Sequence, residues 1–508
     1  MDYSENNKRI VKNTLFLYFR MLLTMGVGLY TSRVILLALG IEDFGIYNIV
    51  GGVVVLFSFL SNAMSMATQR FLTFELGKNN IEQVRRIFSM SITVYISIIF
   101  FIIILAETVG LWVLNTQINI PYGKIDDANW VYQFSVLIIC IGIIQTPYNA
   151  SIVAYERMSF YAYASIVDVI CRLAVAVILV YIGFNKLKAF SVLMCIVAVI
   201  SFCLYRYYCK RKFEICRYRF FFDLGLYKKL MSFSGWSLFG SAAIMSANQG
   251  ISILLNLFYG VIVNAAMGIA VQVSHAVNQF VGNFQTAFRP QIIKLYATGD
   301  NRNLEQLIFR TSKMSFFILF VLTLPIILNI DFVLKVWLKT VPEYAATFCI
   351  LVLVSSLLET LSTPLWMTVQ AVGKIKQYQL CFSAALSLNI ILSYIFLRIG
   401  FQPSIVFFIQ IFVNVICLII RLFFIRAYIN MSILQFMRKV TGRILPVIVL
   451  TIPIPFILSR FYTEWQGLIL TSFSFLVLGF VAIYYIGLTK HERKNISVII
   501  INKLKCKQ

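Results

Sequence analysis

The stretch Lys78–Leu105, KNNIEQVRRIFSMSITVYISIIFFIIIL, sets two kinds of sequence side by side. Its first part carries Lys78, Arg85 and Arg86 against Glu82, whereas no charge occurs from Ile87 to Leu105. An apolar run of about 20 residues crosses a bilayer as a helix, and lysine and arginine beside it mark the cytoplasmic side. The same alternation recurs along the chain. Of the 508 residues 60% are apolar, yet the formal net charge is +24; the mean hydropathy is +0.86. A soluble protein this apolar would aggregate, and a nucleic-acid binder would mix its cations through the fold. Apolar runs separated by short basic connections describe an all-α polytopic membrane protein.

The runs number about fourteen, each long enough to span with some tilt. Their centres fall near Gly26, Val55, Ile102, Ile141, Val175, Val197, Gly250, Val273, Phe320, Ser356, Leu388, Val413, Val449 and Phe475. The first run is too long for a signal-peptide core and has no small-residue cleavage site after it, so it reads as an uncleaved span. One set of connections is basic: Lys8, Arg9, Lys12; Arg70, Lys78, Arg85, Arg86; Lys210, Arg211, Lys212, Arg217, Arg219; Lys294, Arg302, Arg310, Lys313; Lys374, Lys376; Arg438, Lys439, Arg443; and the tail from Lys490. The opposite set holds Glu42, Asp43, Asp126, Asp127, Glu343 and Glu464 with few cations, among them Lys124 and Lys188. Asp126 and Asp127 read as a solvated turn. By the positive-inside rule both termini are cytoplasmic and the span number is even.

The ten cysteines are scattered without a CxxC and there are only two histidines. A His-rich metal site is therefore not expected, nor is any cofactor. No GxxxxGK[ST] motif is present, so direct ATP hydrolysis is not indicated either.

The chain repeats itself. Gly77-Lys78-Asn79-Asn80-Ile81-Glu82-Gln83 after the second span matches Gly299-Asp300-Asn301-Arg302-Asn303-Leu304-Glu305-Gln306 after the eighth. Each runs from a turn into a helix start. The second span carries a polar stripe of Ser58, Ser61, Asn62, Ser65, Thr68 and Gln69 and ends at Arg70. The eighth carries Gln272, His275, Gln279, Asn283 and Thr286 and ends at Arg289; the seventh adds Ser241, Asn248, Gln249, Ser252 and Asn256. Facing lipid, such stripes are unfavourable; facing a wet cavity or a partner helix, they are not. A six-span offset predicts two pseudo-symmetric six-helix lobes, related by an axis along the membrane normal, with a site between them. The expected divisions are 1–215 for the first lobe, 216–430 for the second, and 431–508 for two extra helices and a basic tail.

Near the N-terminus, Ser32-Arg33-Val34-Ile35-Leu36-Leu37-Ala38-Leu39-Gly40-Ile41-Glu42-Asp43-Phe44-Gly45-Ile46-Tyr47 resembles the first-loop signature of polysaccharide flippases. Leu324-Pro325-Ile326-Ile327-Leu328 with Lys335-Val336-Trp337-Leu338 is similar to the ninth-span ending of the same proteins. They belong to the multidrug/oligosaccharidyl-lipid/polysaccharide exporter superfamily. The resemblance implies two lobes forming a V, with spans one, two, seven and eight lining a cavity. It further implies an oligosaccharide on a polyprenyl pyrophosphate as substrate, carried from the cytoplasmic to the periplasmic leaflet of a bacterial inner membrane. The expected partners are that substrate, the phospholipid bilayer and other polysaccharide-assembly membrane proteins, with no nucleic acid and the chain itself a monomer.

Charges left inside the spans are the candidates for function. Asp168 and Arg172 lie four apart on one helix face, either as a structural pair or with Arg172 on substrate and Asp168 on a coupling ion. Arg20 sits inside the first span, and Arg70 and Arg289 end their stripes at matching places. All three suit bidentate phosphate contact, although snorkelling and topology explain them as well. Asn62, Gln249, Gln272 and Gln279 complete the expected substrate set. Glu359 reads as a lone buried acid and His275 as a helix partner or relay; with Asp168 they are the candidates for proton or sodium coupling. Arg33 reads as an outer latch, and Lys335 and Trp337 as interfacial anchors. A multidrug or cation exporter of the same fold is the alternative, and a membrane polysaccharide polymerase a more distant one. The first would call for acidic cavity residues, and the second for a large outer loop that the chain lacks.

Overall fold

The computed structural model describes residues 3–116, 120, 123–183, 185–338, 340–490 and 492–493. Among these the structure is helical, with no strand. The helices are α1 (Tyr3–Gly77), α2 (Ile81–Thr116), α3 (Ile125–Ala154), α4 (Met158–Tyr181), α5 (Lys186–Lys212) and α6 (Leu224–Ala297). They continue as α7 (Asn301–Leu328), the short α8 (Ile330–Leu338), α9 (Ala345–Val372), α10 (Lys376–Ile399), α11 (Ile405–Ile429), α12 (Ile433–Phe461) and α13 (Glu464–Gly487).

Among the described residues 12 helical segments are long and apolar enough to cross a membrane. They include Asn13–Gly40 from α1 and Leu224–Gly260 from α6. The remaining halves, 41–77 and 261–297, are helical too and carry the polar stripes of spans two and eight. Each of the fourteen span centres read from the sequence therefore falls within one helical segment.

Both long helices break at one glycine. Gly40 has φ 82°, ψ 171° and Gly260 φ 77°, ψ −169°, a region that essentially only glycine adopts. Past the second half, each long helix ends in a left-handed residue, Asn79 at φ 57° and Gly299 at φ 74°. A side-chain cap then starts the next helix. Asn80 Oδ1 accepts the Gln83 amide at 3.1 Å, and Asp300 Oδ1 accepts the Asn303 amide at 3.2 Å, satisfying a donor that would otherwise be orphaned. The three pairs stand at the same sequence interval, so the repeat read from the turns extends to backbone conformation.

By contacts the chain divides into two compact units, Lys12–Leu238 and one that joins the N-terminal residues up to Val11 with the chain from Phe239 onward. The division lies within α6. Within the first unit α3 packs on α2, α4 and α5, and α4 on α5. Within the second α9 packs on α7 and α11, and α10 on α11. The first unit's core includes Phe88, Tyr95, Tyr148 and Tyr205; that of the second centres on Leu255, Phe348 and Phe407. The last two spans attach through α7: the Phe320 and Phe475 rings meet edge-on at 5.3 Å, and Asn329 Nδ2 donates to Thr471 Oγ1 at 2.7 Å.

Two connection charges differ from their reading. Asp127 is no solvated turn residue: it is buried, accepts from Asn185 Nδ2 at 2.9 Å and pairs with Lys188 at 3.0 Å. Lys313 is no boundary cation. It is 1% exposed and its Nζ lies 2.9 Å from Glu492 Oε2, since a charge drawn into the helix packing needs a partner.

Candidate functional site

The second unit encloses a polar cavity of about 920 Å³, walled by both halves of α6 and by α9, α10 and α11. These helices bring inward the short polar side chains that their apolar runs would hide from lipid. Amides recur among serines, threonines and apolar residues: Asn248, Gln249, Asn264, Asn278, Asn389, Gln410 and Asn414 all reach the wall. Ser252 Oγ donates to Asn264 Oδ1 at 2.8 Å, tying the two halves of α6 together across the Gly260 break. Asn278 Nδ2 donates to Ser274 Oγ and Ser356 Oγ, both at 3.0 Å, and Asn414 Nδ2 to Ser355 Oγ at 2.8 Å. Asn389 Oδ1 is buried without a hydrogen-bond partner, leaving an acceptor for a donor in the cavity.

One cation and one carboxylate flank this lining. Arg421 is 7% exposed; its Nε donates to the Tyr378 hydroxyl at 2.9 Å, its Nη1 donates to Ser362 Oγ, and its guanidinium lies 4.9 Å from the Phe382 ring centre. Ser362 Oγ in turn donates to the Glu359 carbonyl at 3.0 Å. Glu359 is exposed on the cavity wall and takes part in none of the ion pairs among the described residues. It lies within electrostatic reach of Arg421. The lone buried acid of the sequence reading is thus a cavity acid. Being free of an ion pair, it is available to a proton, a cation or a ligand donor. Among the described residues no group of three or more His, Cys, Asp or Glu side chains forms a metal site.

Three of the sequence candidates meet at this cavity: Gln249, His275 and Glu359. Gln272 and Gln279 are exposed on α6 and Arg289 half-buried near its end, none of them on the cavity wall. Sequence reading missed Arg421, Asn278, Asn389 and Asn414. Arg421 carried the signal, a charge between Ile420 and Leu422 inside an apolar run. Arg426 five residues on makes it resemble an edge cation, and only the packing of α9 and α10 distinguishes the two.

The other candidates belong to the first unit. Arg172 Nε lies 2.8 Å from Asp168 Oδ2, with the side chains 45% and 25% exposed. Arg20 sits over the Tyr161 ring at 4.6 Å, and Arg20 and Asp168 both reach Tyr205 electrostatically. Arg70 is buried, its guanidinium 4.6 Å from Phe71, 4.8 Å from Phe74 and 5.9 Å from Phe233. These cation–π contacts hold it within the aromatic packing. Asn62 lies on α1, and its side chain falls outside the described residues. At one end of this unit Lys124 Nζ meets Asp43 Oδ1 at 2.7 Å, which raises the Lys124 pKa through that hydrogen bond.

No protein-family model matches the chain, and no curated protein matches it. Solved structures do. A MATE in a bent conformation is similar with a TM-score of 0.72 at 13% identity, over 84% of this chain and 96% of that one. An outward-facing multidrug resistance MATE family transporter of the MOP superfamily gives 0.69 at 15%, with the same shares. A MOP superfamily transporter from Pyrococcus furiosus, described as having a binding pocket of reverse polarity, gives 0.66 at 14%, over 82% and 96%. At such identities the likeness is one of fold: this chain is folded like the MATE transporters over most of its length.

Proposed function

We propose that the protein is an alternating-access transporter that moves a polyprenyl-pyrophosphate-linked oligosaccharide from the cytoplasmic to the periplasmic leaflet of a bacterial inner membrane. The observation that carries this reading is the lining of the cavity. Its amides and hydroxyls offer donors and acceptors in the density that a sugar's hydroxyls require, while its two formal charges, Glu359 and Arg421, are of opposite sign. Selectivity for an organic cation would call for uncompensated acids instead. The fold supports a two-lobed carrier with no enzymatic step. In this reading Arg20, Arg70, Arg172 and Arg289 attract the pyrophosphate, and a proton or sodium gradient acting on Asp168, Glu359 or His275 drives the cycle. The chain works as a monomer beside other polysaccharide-assembly proteins.

A multidrug exporter is the second reading, favoured by the Glu359 carboxylate on the cavity wall and by the multidrug resistance transporter among the similar folds. Proteoliposomes separate the two. Flipping of a defined lipid-linked glycan, with and without an ion gradient, is expected in the first case. Gradient-driven uptake of a cationic dye without glycan flipping would establish the second and overturn the first.

A further inference from the structure

We infer that the connection between α5 and α6 is a binding surface for anionic phospholipid headgroups. It leaves α5 through Lys210, Arg211 and Lys212, all exposed, and continues through exposed Arg217 and Arg219. Its acids are Glu214 and Asp223, and the Asp223 Oδ1 accepts the Gly225 and Leu226 amides at 2.7 and 3.2 Å, starting α6. The five cations outnumber the two acids, so the connection keeps a net positive charge.

The aromatic residues supply the second, independent observation. Phe220 is 79% and Phe222 55% exposed, while Phe221 between them turns inward under the Arg86 guanidinium at 5.8 Å. The segment has no regular secondary structure here, and its backbone is held to α2 by the Arg219 amide donating to Ser89 Oγ at 3.4 Å. With Phe221 turned inward, Phe220 and Phe222 stand outward beside the arginines. Rings held out among cations, level with the ends of two membrane spans, match a bilayer interface. The rings enter the headgroup region and the guanidiniums bind phosphate. A basic segment there draws anionic lipid from the adjoining leaflet, an attraction that salt screens.

The test uses the full chain in nanodiscs of phosphatidylcholine with a minor fraction of phosphatidylglycerol. The lipid retained after mild detergent extraction is quantified by mass spectrometry. Several-fold enrichment of phosphatidylglycerol is expected at low salt and its decline at high salt. The Arg217→Gln/Arg219→Gln variant is expected to lose most of the enrichment, Phe220→Ser/Phe222→Ser to weaken it, and Arg438→Gln/Lys439→Gln, at another basic connection, to keep it. Equal retention by the parent and the arginine variant would overturn the inference. So would enrichment indifferent to salt. The salt arm needs only the parent protein, so the outcome does not depend on a variant folding.

Discussion

Arg421 on α11 donates through Nε to the Tyr378 hydroxyl on α10 at 2.9 Å, and through Nη1 to Ser362 on α9. One guanidinium thus joins three helices of the second unit at the wall of its polar cavity. Arg421→Met is expected to leave the buried Tyr378 hydroxyl unpaired, which costs about 1–3 kcal/mol. Arg421→Lys recovers only part of this, because an ammonium lacks the planar fork that serves both acceptors. Thermal unfolding of the purified variants in detergent measures the order parent, lysine, methionine; equal stability of all three would remove the clamp role.

Glu359 is expected to behave oppositely. It is exposed to the cavity and free of ion pairs, so Glu359→Gln should leave unfolding within about 0.5 kcal/mol of the parent, as for a surface change. Transport should nonetheless fall about tenfold or more, equivalent to 1.4 kcal/mol. The proteoliposome assay reads this directly, and unimpaired transport would place Glu359 outside the working site.

Gly40 and Gly260 are expected to resist replacement equally. A Cβ at either would meet nothing within 4 Å, so the cost of alanine is conformational alone. Holding a non-glycine residue at these angles costs about 1–3 kcal/mol. Unfolding of Gly40→Ala and Gly260→Ala gives the measurement; unchanged stability would mean that the helix breaks relax without difficulty.

Lys313 and Glu492 form a buried pair, so removing either partner alone strands a charge and is expected to cost about 3–5 kcal/mol. Lys313→Met/Glu492→Leu should recover much of that loss in a double-mutant cycle. Burial favours the neutral form of Glu492, but the Lys313 ammonium and the Thr489 amide outweigh it and hold the carboxyl below its ordinary 4.5. A carboxylate whose folded pKa is depressed stabilises fully above its unfolded pKa, and the effect fades as pH falls through the folded value. The difference between parent and Glu492→Gln should therefore be constant above pH 4.5 and shrink below it. A constant difference at every pH would show that the carboxylate charge contributes nothing.

Much of the architecture was legible in residue order. Apolar runs located the helices because a span must bury its own backbone polar groups over about 20 residues, whatever its neighbours. The turns at 77–83 and 299–306 announced the repeat because capping is local chemistry, although the caps pair Asn80 with Asp300 and so shift the matched positions by two. The Asp168–Arg172 pair was legible for a similar reason, since four residues make one helix turn.

What residue order determined by itself is therefore local: the spans, their breaks, their caps and the internal repeat. Only the tertiary structure decided which polar residues share a space. Glu359, His275 and Gln249 converge with Asn389, Asn414 and Arg421 on one cavity, whereas Gln272 and Gln279 do not. Arg70 and Arg421 look alike as arginines near span ends, yet one is wrapped by phenylalanines and the other clamps three helices. Lys313 looks like any boundary cation until Glu492 closes on it across a large sequence separation. The physical reason is common to all three. A helix dictates its own hydrogen bonds, but the environment of a side chain comes from neighbours distant in the chain, and their approach is settled by packing.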